Sequence, residues 1–482
     1  MSRVVTVQEA AAHINDNDTL AISGMLFIAG CEPFYEALEE RFLQTGKPSN
    51  LTMFAATSIG ARYNFDAGWP PDQGNRLAHH GLVKRVITSH YGTMPLMQNL
   101  INECSTEGYL LPQGTFSQII SAAARRIPRT LTKMGLHTFV DPRYGGGKLN
   151  DACNYEFCEL TEIDGEEFLS YKTIYPDVCI IRGTTVDKNG NITFEEECSE
   201  FDALQMAMAT KNNGGTVIVQ VKRQSEERAN PALVKLPERL VDYVYIYPRQ
   251  SLRLMGRYDP KMNGMATADA EDLCKAAEKV SKENRAILER ACKELRPGAV
   301  VNLGVGMPHS IAVTARRLGM DHGVTFTNEV GIWGGHADPA AFGLNFNTDC
   351  LMSQGDIQNF YEGGGLDISF AGALEVDARG NVNVMRSGMR IFGIGGFNSI
   401  TANAGTVVFC LNFFGKDGKC KIVDDVEYIN YNAVHKPTYQ RAMYITDRCT
   451  FALENGLLKL QEIYPNYSTE DVLPYLPKNI LI

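Results

Sequence analysis

The chain has 482 residues, of which 44% are hydrophobic and 21% are charged, the proportions of a folded globular protein. This composition excludes extended disorder and collagen-like repeats, and the length predicts roughly two or three domains. The 46 lysines and arginines against 56 aspartates and glutamates give a formal net charge of −10, and no run of basic residues is longer than two. We therefore expect no nucleic-acid partner.

Twelve cysteines are spread from Cys31 to Cys449 without a C-x-x-C pair, which favours reduced thiols over a disulfide framework. The most apolar stretch, residues 20–31, is interrupted by serine and glycine and is too short to cross a bilayer. From these patterns we expect a soluble, cytoplasmic protein with no membrane partner.

Short, almost continuous apolar runs predict strands buried on both faces of a sheet. Helical patterns between them complete an alternation that is typical of an open α/β sheet with helices on both faces. The predicted strands are residues 19–22, 178–181, 217–221, 300–303, 324–327, 368–370 and 407–411. The clearest predicted helices are residues 33–42, 117–126 and 309–318.

A turn-rich stretch without apolar periodicity begins near residue 256, and a long helical pattern over 270–295 follows it, ending before Pro297 and Gly298. We predict an N-terminal α/β domain over 1–255, a linker over 256–269 and a C-terminal α/β domain over 270–482.

The two predicted domains repeat one another. A Val-Asp-x-x-Gly-Asn motif occurs at 186–191 and again at 376–381, and a Gly-Thr-Val follows at the same spacing in both copies. Further upstream, a looser match aligns Asp141 with Glu329. Two α/β segments can look alike without common origin, but the matched spacing favours an internal duplication.

Glycine-rich turns follow several predicted strands of the C-terminal half. The Gly-x-Gly turn at 304–306 lies between a strand and a helix, where backbone N–H groups can bind an anion, although a purely structural turn is an equal alternative. His309 replaces the third glycine of a dinucleotide fingerprint, which argues against that cofactor. Glycine clusters at 363–365 and 393–396 also suit a large phosphate-bearing ligand.

Glu329 lies just after a predicted buried strand, where open α/β sheets place their chemistry. A solvated surface charge is the alternative interpretation of a single glutamate. The histidines at 79, 80 and 90 lack the spacing of a metal site, and we expect no metal. Neither a P-loop nor a G-x-S-x-G elbow is present.

Together these segments resemble family I coenzyme A transferases, most closely the single-chain propionate/acetate type, which is related to succinyl-CoA:3-ketoacid CoA-transferases. The resemblance covers almost the whole chain, including Pro-Gln-Gly-Thr at 112–115 and Asn-Glu-Val-Gly at 328–331. The chain departs from the family pattern at Ser23-Gly24-Met25, where Gly-Gly-Phe is usual, and at Val330, where the family has a polar residue.

The resemblance implies two tandem related α/β domains of the CoA-transferase fold and transfer of CoA between a short-chain acyl-CoA and a free carboxylic acid. Glu329 would be the nucleophile that carries CoA as a thioester, and it should have polar partners that keep it ionised. Backbone N–H groups at 305–306 and 395–396 would stabilise oxyanions. The implied catalytic residues are Glu329, Val305, Gly306 and Gly396.

Coenzyme A enters as a co-substrate, with no permanently bound cofactor, and relatives commonly form homodimers or homotetramers. The implied contacts with the acyl group and the acid are Gln113 and Asn328. Trp333, which lies close to the nucleophile in sequence, is a further candidate to line the acyl pocket, and packing within its loop is an equal alternative. The implied contacts with CoA are Gly304, Gly306, Met307, Pro308, Gly393, Gly395 and Gly396. An acyl-CoA hydrolase with the same intermediate is the nearest alternative, and a non-catalytic acyl-CoA sensor is a more distant one.

Overall fold

The computed structural model describes residues 3–60, 72–251, 258–278, 280–339 and 342–482. It contains two large β-sheets with flanking helices, one in the first half of the chain (through residue 251) and one in the second half (from residue 258). The elements of the first half are β1 (Arg3–Val4), α1 (Val7–Ala11), β2 (Thr19–Ile22), α2 (Glu32–Thr45), β3 (Leu51–Ala55), β4 (Val83–Thr88), α3 (Pro95–Asn102), β5 (Glu107–Leu110), α4 (Gln113–Ala124), β6 (Arg129–Thr132), β7 (Cys158–Ile163), β8 (Glu166–Lys172), β9 (Val178–Arg182), β10 (Thr185–Val186), β11 (Ile192–Thr193), α5 (Ala203–Asn212), β12 (Thr216–Val221), β13 (Arg223–Gln224), β14 (Val234–Leu236) and β15 (Tyr243–Ile246).

The second half follows the same alternation of strands and helices. Its elements are α6 (Ala270–Glu278), α7 (Arg285–Cys292), β16 (Val300–Leu303), α8 (Ile311–Leu318), β17 (Thr325–Asn328), β18 (Ile332–Trp333), β19 (His336–Ala337), β20 (Asn345–Phe346), β21 (Cys350–Leu351), α9 (Gln354–Glu362), β22 (Ile368–Gly372), β23 (Glu375–Asp377), β24 (Val382–Asn383), β25 (Arg386–Ser387), β26 (Arg390–Ile391), α10 (Phe397–Ala402), β27 (Thr406–Cys410), β28 (Ile422–Val423), β29 (Arg441–Ile445), β30 (Cys449–Glu454) and β31 (Leu457–Ile463).

The sheet of the first half is entirely parallel, in the order β1-β15-β12-β9-β2-β3-β4-β5. The sheet of the second half has the order β21-β18-β17-β16-β22-β27-β29-β30-β31, with a parallel centre from β17 to β29 and antiparallel margins. These two sheets confirm the predicted α/β fold class. Within the described chain, no helix is long and apolar enough to cross a bilayer.

Alternate residues of the central strands are buried on opposite faces of the second sheet. Phe370 on β22 packs in a cluster with Ile287 of α7 and Ile311 of α8, whereas its neighbour Ala371 packs in a different cluster with Ile400 of α10. Helices therefore cover both faces, which explains why these strands are continuous apolar runs.

The predicted strands agree with the structure to within one or two residues at each end, but one predicted helix is wrong. The pattern over 270–295 forms two helices, α6 and α7, separated by a turn in which the Asn284 N–H donates to the Ser281 carbonyl at 3.3 Å. The predicted helix over 309–318 likewise begins in a 3-10 turn, Met307–Ser310, and becomes α-helical only at Ile311.

The two halves pack through a layer of helices. Gln118 of α4 donates from Nε2 to a carboxylate oxygen of Glu362 on α9 at 2.7 Å, and the Gly355 N–H donates to Asp202, which precedes α5, at 3.0 Å. One apolar cluster also continues from the first sheet to one face of the second. The predicted boundary at 255/256 lies outside the described residues, so the domain limits 1–255, 256–269 and 270–482 remain a prediction.

The downstream part of the repeat is a repeated structure. Asp187 accepts hydrogen bonds from the backbone N–H groups of Asn189 and Asn191 at 2.9 and 2.8 Å, and Asp377 accepts them from Arg379 and Asn381, both at 2.9 Å. The glycine between them adopts a positive φ in each copy, 88° and 81°, which requires little energy only for glycine. This paired turn explains the Val-Asp-x-x-Gly-Asn motif.

The upstream alignment of Asp141 with Glu329 is wrong. Asp177 accepts from the Thr19 N–H at 2.8 Å and Asp367 accepts from the Val300 N–H at 2.9 Å, so β2 corresponds to β16. Next to them, β3 pairs with β2 in the register in which β17 pairs with β16.

This register places Ala56, directly after β3, at the position of Glu329. The acid that the sequence alignment offered, Asp141, instead caps a 3-10 turn, Pro142–Tyr144, outside the main sheet.

Candidate active site

A cavity of about 240 Å³ lies at the carboxyl ends of β16, β17 and β22. Strand β16 leads into the 304–306 turn, β17 leads into Glu329, and β22 ends at Gly372. One wall comes from the loop before α10. The lining residues are His90, Gly304, Val305, Gly306, Glu329, Ala371, Gly372, Ala373, Leu374, Val384, Phe392, Gly393, Ile394, Gly395, Gly396, Phe397 and Ile400.

Glu329 is buried, with 3% of its surface exposed, and its Oε2 has no hydrogen-bond partner among the described residues. Burial raises the pKa of its carboxyl group to about 8, and its own backbone N–H offsets only part of this effect. The expectation that polar partners surround Glu329 is therefore wrong. The physical reason is that, apart from His90, its neighbours in the cavity are glycine backbone and apolar side chains.

Gly396 lies directly against the Glu329 side chain. A Cβ atom added at Gly396 would lie 2.8 Å from Cγ of Glu329 and 3.3 Å from Cδ and Oε1. Any side chain at this position would displace the carboxylate, so glycine is required here for the glutamate to keep its place.

The turn at 304–306 presents free backbone donors on the cavity wall. Gly304 is tied to the sheet, because its N–H donates to the Phe370 carbonyl at 2.8 Å. The N–H groups of Val305 and Gly306 have no acceptor within the described residues. They are therefore available to an oxyanion, and their role as oxyanion donors stays a prediction.

The second predicted oxyanion segment differs between its two residues. The N–H groups of Ile394 and Gly395 both donate to the Ser89 carbonyl, at 2.7 and 2.8 Å. The Gly395 N–H is therefore occupied, and its predicted role as an oxyanion donor is wrong. The Gly396 N–H has no acceptor in the part of the chain that is described. Gly393 is needed for the same contact, because a Cβ there would lie 2.5 Å from the Ser89 carbonyl oxygen.

Two residues predicted to contact the substrates lie away from the cavity wall. Gln113 is buried at the start of α4, and its Nε2 donates to Oε1 of Gln354 at 3.0 Å. Trp333 on β18 packs edge-on against the ring of Phe360, with ring centroids 5.2 Å apart. In this structure both side chains contribute to packing within the protein.

Asn328, Met307 and Pro308 also lie outside the lining set. Asn328 accepts from the Val330 N–H at 3.2 Å, and its buried Nδ2 has no partner among the described residues. Met307 packs against an apolar cluster that includes Ile311, and Pro308 is buried in the 3-10 turn before it. Their predicted contacts with substrate or CoA remain predictions.

The sequence did not identify the apolar wall or the histidine of this cavity. His90 follows β4 in the first half, and its Nδ1 lies 2.7 Å from Oγ of Ser58. It follows a parallel strand of the first half, so the strand-end rule that found Glu329 could also have selected it. The apolar wall, including Phe392, Phe397 and Ile400, comes from loops and a helix that carry no comparable motif.

A family model described as coenzyme A transferase matches residues 4–246 and 285–474. The caffeate CoA-transferase of Acetobacterium woodii is 34% identical, covering 98% of this chain and 94% of that protein. The acetate CoA-transferase YdiF of Escherichia coli O157:H7 is 35% identical, covering 98% of this chain and 91% of that protein.

The fold agrees with these relatives. The crystal structure of acyl-CoA transferase YdiF from E. coli O157:H7 as a thioester complex with CoA superposes with a TM-score of 0.90 at 32% identity, covering 100% of this chain and 95% of that chain. A more distant likeness links the chain to human mitochondrial succinyl-CoA:3-ketoacid coenzyme A transferase 2, at 24% identity over 81% of this chain. The chain therefore belongs to the coenzyme A transferase family.

Proposed function

We propose that this protein transfers CoA between a short-chain acyl-CoA and a free carboxylic acid by a ping-pong mechanism through a covalent thioester on Glu329. The observation that carries the proposal is the buried Glu329 carboxyl group in a cavity lined by free backbone donors. The relatives named for acetate and caffeate CoA transfer, and the YdiF structure described as a CoA thioester complex, support it.

The proposed reaction begins when a carboxylate oxygen of Glu329 attacks the thioester carbon of the acyl-CoA. The carbon–sulfur bond breaks, CoA leaves as a thiolate, and a mixed acyl-glutamyl anhydride remains. The thiolate then attacks the glutamyl carbonyl carbon, releasing the first acid as a carboxylate and leaving a glutamyl-CoA thioester. An incoming carboxylate reverses these steps and leaves as the new acyl-CoA.

Each of these attacks forms a negatively charged oxygen on a tetrahedral carbon. The N–H groups of Val305, Gly306 and Gly396 are the donors that the cavity offers to this charge. A single such donor commonly contributes about 3 kcal/mol to catalysis. Once Glu329 is ionised, no step of this sequence transfers a proton, so the reaction suits a cavity with few ionisable side chains.

The apolar wall supports transfer over hydrolysis. Leu374, Val384 and Phe392 line the cavity that holds Glu329 with surface that does not bind water. An anhydride or thioester held there keeps its activation until a carboxylic acid arrives. We propose acetyl, propionyl or butyryl as the acyl group, and the relative named for acetate CoA transfer supports a short chain. Coenzyme A acts here as a co-substrate that contacts the glycine loops at 304–308 and 393–396.

The test is the intact mass of the protein after brief incubation with acetyl-CoA, measured with and without borohydride. We expect a CoA adduct on the wild type that borohydride removes. Glu329→Ala should form none, because the nucleophilic oxygen is absent. Asp141→Asn is the matched control, since this acid lies outside the main sheet, and it should form the adduct as the wild type does.

The same preparations distinguish the alternatives. With acetyl-CoA alone, a transferase stops after releasing about one equivalent of acid and forms new acyl-CoA only when a second carboxylic acid is supplied, whereas a hydrolase keeps releasing CoA without one. An adduct that persists in Glu329→Ala would place the nucleophile elsewhere. A wild type that binds acetyl-CoA without any adduct would be a sensor, and the proposal would fail.

A further inference from the structure

The peptide that follows the nucleophile is held at three successive carbonyl groups. The Glu329 carbonyl accepts from Nε2 of Gln358 at 3.2 Å, and the Val330 carbonyl accepts from Oγ of Ser199. The Gly331 carbonyl accepts from the Met352 N–H at 2.7 Å. Two of these three donors are buried side chains, so this loop is fixed by more than ordinary strand pairing.

The two side-chain donors come from different halves of the chain. Gln358 lies on α9, and Ser199 lies in the first-half loop that leads to α5. The same loop holds α9 itself, because Asp202 accepts from the Gly355 N–H at 3.0 Å and from Nε2 of Gln354 at 2.9 Å. The first half therefore forms hydrogen bonds with both the nucleophile loop and α9, the helix that supports this loop.

The side chain of Val330 adds an apolar anchor between these polar ones. It is fully buried in a cluster with Met25 and Ile28 of the first half and Phe342 of the second. The contrast with Glu329 is sharp, because the Oε2 of its carboxyl group has no partner among the described residues. The backbone of the nucleophile is therefore held at its carbonyl groups, whereas Oε2 of its side chain is not held.

We propose that Ser199 and Gln358 are positioning residues that clamp the backbone of Glu329 for catalysis. The proposal rests on the proposed function, in which the same carboxyl carbon must meet an acyl carbon, a thiolate sulfur and an acid oxygen in turn. A fixed backbone limits each encounter to rotation of the glutamate side chain. Misplacement of a reacting group by about 1 Å costs roughly 100-fold in rate.

The test uses Ser199→Ala and Gln358→Leu, each of which removes one donor with little change in volume. With acetyl-CoA, we expect the single-turnover rate of CoA adduct formation to fall about 10- to 100-fold, with KM within about threefold of wild type. The matched control is Thr106→Val. Thr106 is buried directly before β5, an edge strand of the first sheet, and donates to the Val83 carbonyl at 2.9 Å. It should form the adduct at the wild-type rate.

Two further readouts separate positioning from loss of stability. Ser199→Thr retains the hydroxyl donor and should restore most of the rate. In the clamp variants the midpoint of the pH profile of kcat/KM should fall, because a loosened carboxylate reaches water more easily. Loss of stability alone would leave the pH midpoint at its wild-type value.

The outcomes are distinguishable from those that test the proposed function. A wild type without any Glu329 adduct would overturn the proposed function, and the clamp with it. A normal wild-type adduct with wild-type rates in both variants would overturn the clamp alone. If one variant does not fold, the other decides the question by the same rate.

Discussion

The two halves of the chain share one register but differ at the position that matters for chemistry. Glu329 follows β17 in the second half, and Ala56 follows the corresponding strand, β3, in the first. Gly372 at the end of β22 lines the cavity, and its counterpart at the end of β9 is Arg182. The first half thus has an alanine in place of the nucleophile and an arginine in place of the glycine that lines the cavity.

Arg182 occupies the space at the carboxyl end of β9 with a buried ion pair. Arg182 is almost fully buried and pairs with Glu197, at 2.6 Å from Nη2 to Oε2, and Gln250 donates to the same carboxylate at 2.8 Å. This network fills the region beside β9 with satisfied polar groups. At the end of β9 this network takes up the space that stays open beside Gly372 at the end of β22.

The largest expected effect comes from replacing Glu329 by alanine, the residue at the corresponding position of the first half. Glu329→Ala should lower kcat by at least about 10⁴-fold, because it removes the covalent nucleophile. Asp141→Asn, in which an acid of the first half is neutralised, should keep kcat within about threefold of wild type. Steady-state transfer from acetyl-CoA to propionate measures both. An equal loss in the two variants would contradict the assignment of Glu329 and the register that separates it from Asp141.

The second prediction replaces Gly372 by arginine, the residue that occupies the corresponding position, 182, in the first half. Gly372→Arg should lower kcat/KM by about 100-fold or more, because the side chain enters the cavity and the corresponding acid is absent: position 387, the counterpart of Glu197, is a serine. Gly372→Ala is the size control, since its methyl group would meet its nearest atom, the Val305 carbonyl oxygen, at 3.8 Å. It should lose much less activity. Similar losses in the two variants would show that the backbone, and not the open wall, requires glycine.

The fold was predictable from the sequence because strands buried on both faces leave a plain signal. Residues 178–181, Val-Cys-Ile-Ile, form a continuous apolar run, and Glu329 could be selected because it follows a predicted strand. The downstream repeat was equally visible, since a fixed turn preserves its Asp, Gly and Asn.

The upstream correspondence was not predictable by a constant shift. Thr19 and Asp177 are 158 residues apart in the first half, whereas Val300 and Asp367 are 67 apart in the second, so the inserted segments displace the alignment. The orientations of the Gln113 and Trp333 side chains were also not predictable, because each depends on a packing partner distant in sequence. The burial of Glu329 results from chain segments that meet only after folding.

A smaller effect concerns the pH dependence of kcat/KM, which we expect to depend on Glu329 of the second half and not on Asp141 of the first. The pKa of Glu329 is raised to about 8 by burial, and only the anion attacks, so kcat/KM for acetyl-CoA should rise with pH to a midpoint near this value. Below the midpoint the expected slope is about tenfold per pH unit. Asp141→Asn should leave the profile unchanged. A profile that is flat between pH 6 and about 9 would show that the Glu329 carboxyl group has an ordinary pKa in the free enzyme.

The smallest effect is on stability, and its sign is opposite for the two acids. Glu329 has a folded-state pKa raised from 4.5 to about 8, so its contribution to stability is present at low pH and is lost as the pH rises through that range. For Asp141, burial alone would raise the pKa, but hydrogen bonds from Arg143 and His137 outweigh it and hold the pKa below the ordinary 3.8.

The Asp141 contribution is therefore present at neutral pH and is lost as the pH falls below about 4. Glu329→Gln should accordingly gain Tm relative to wild type as the pH rises from 5 to about 9, since the variant no longer buries a charge. Asp141→Asn should be less stable than wild type at pH 7 and converge with it in acid. Thermal unfolding across pH measures both. Curves that stay parallel to wild type for both variants would contradict the contrast, because the two carboxyl groups would then have the same pKa values folded and unfolded.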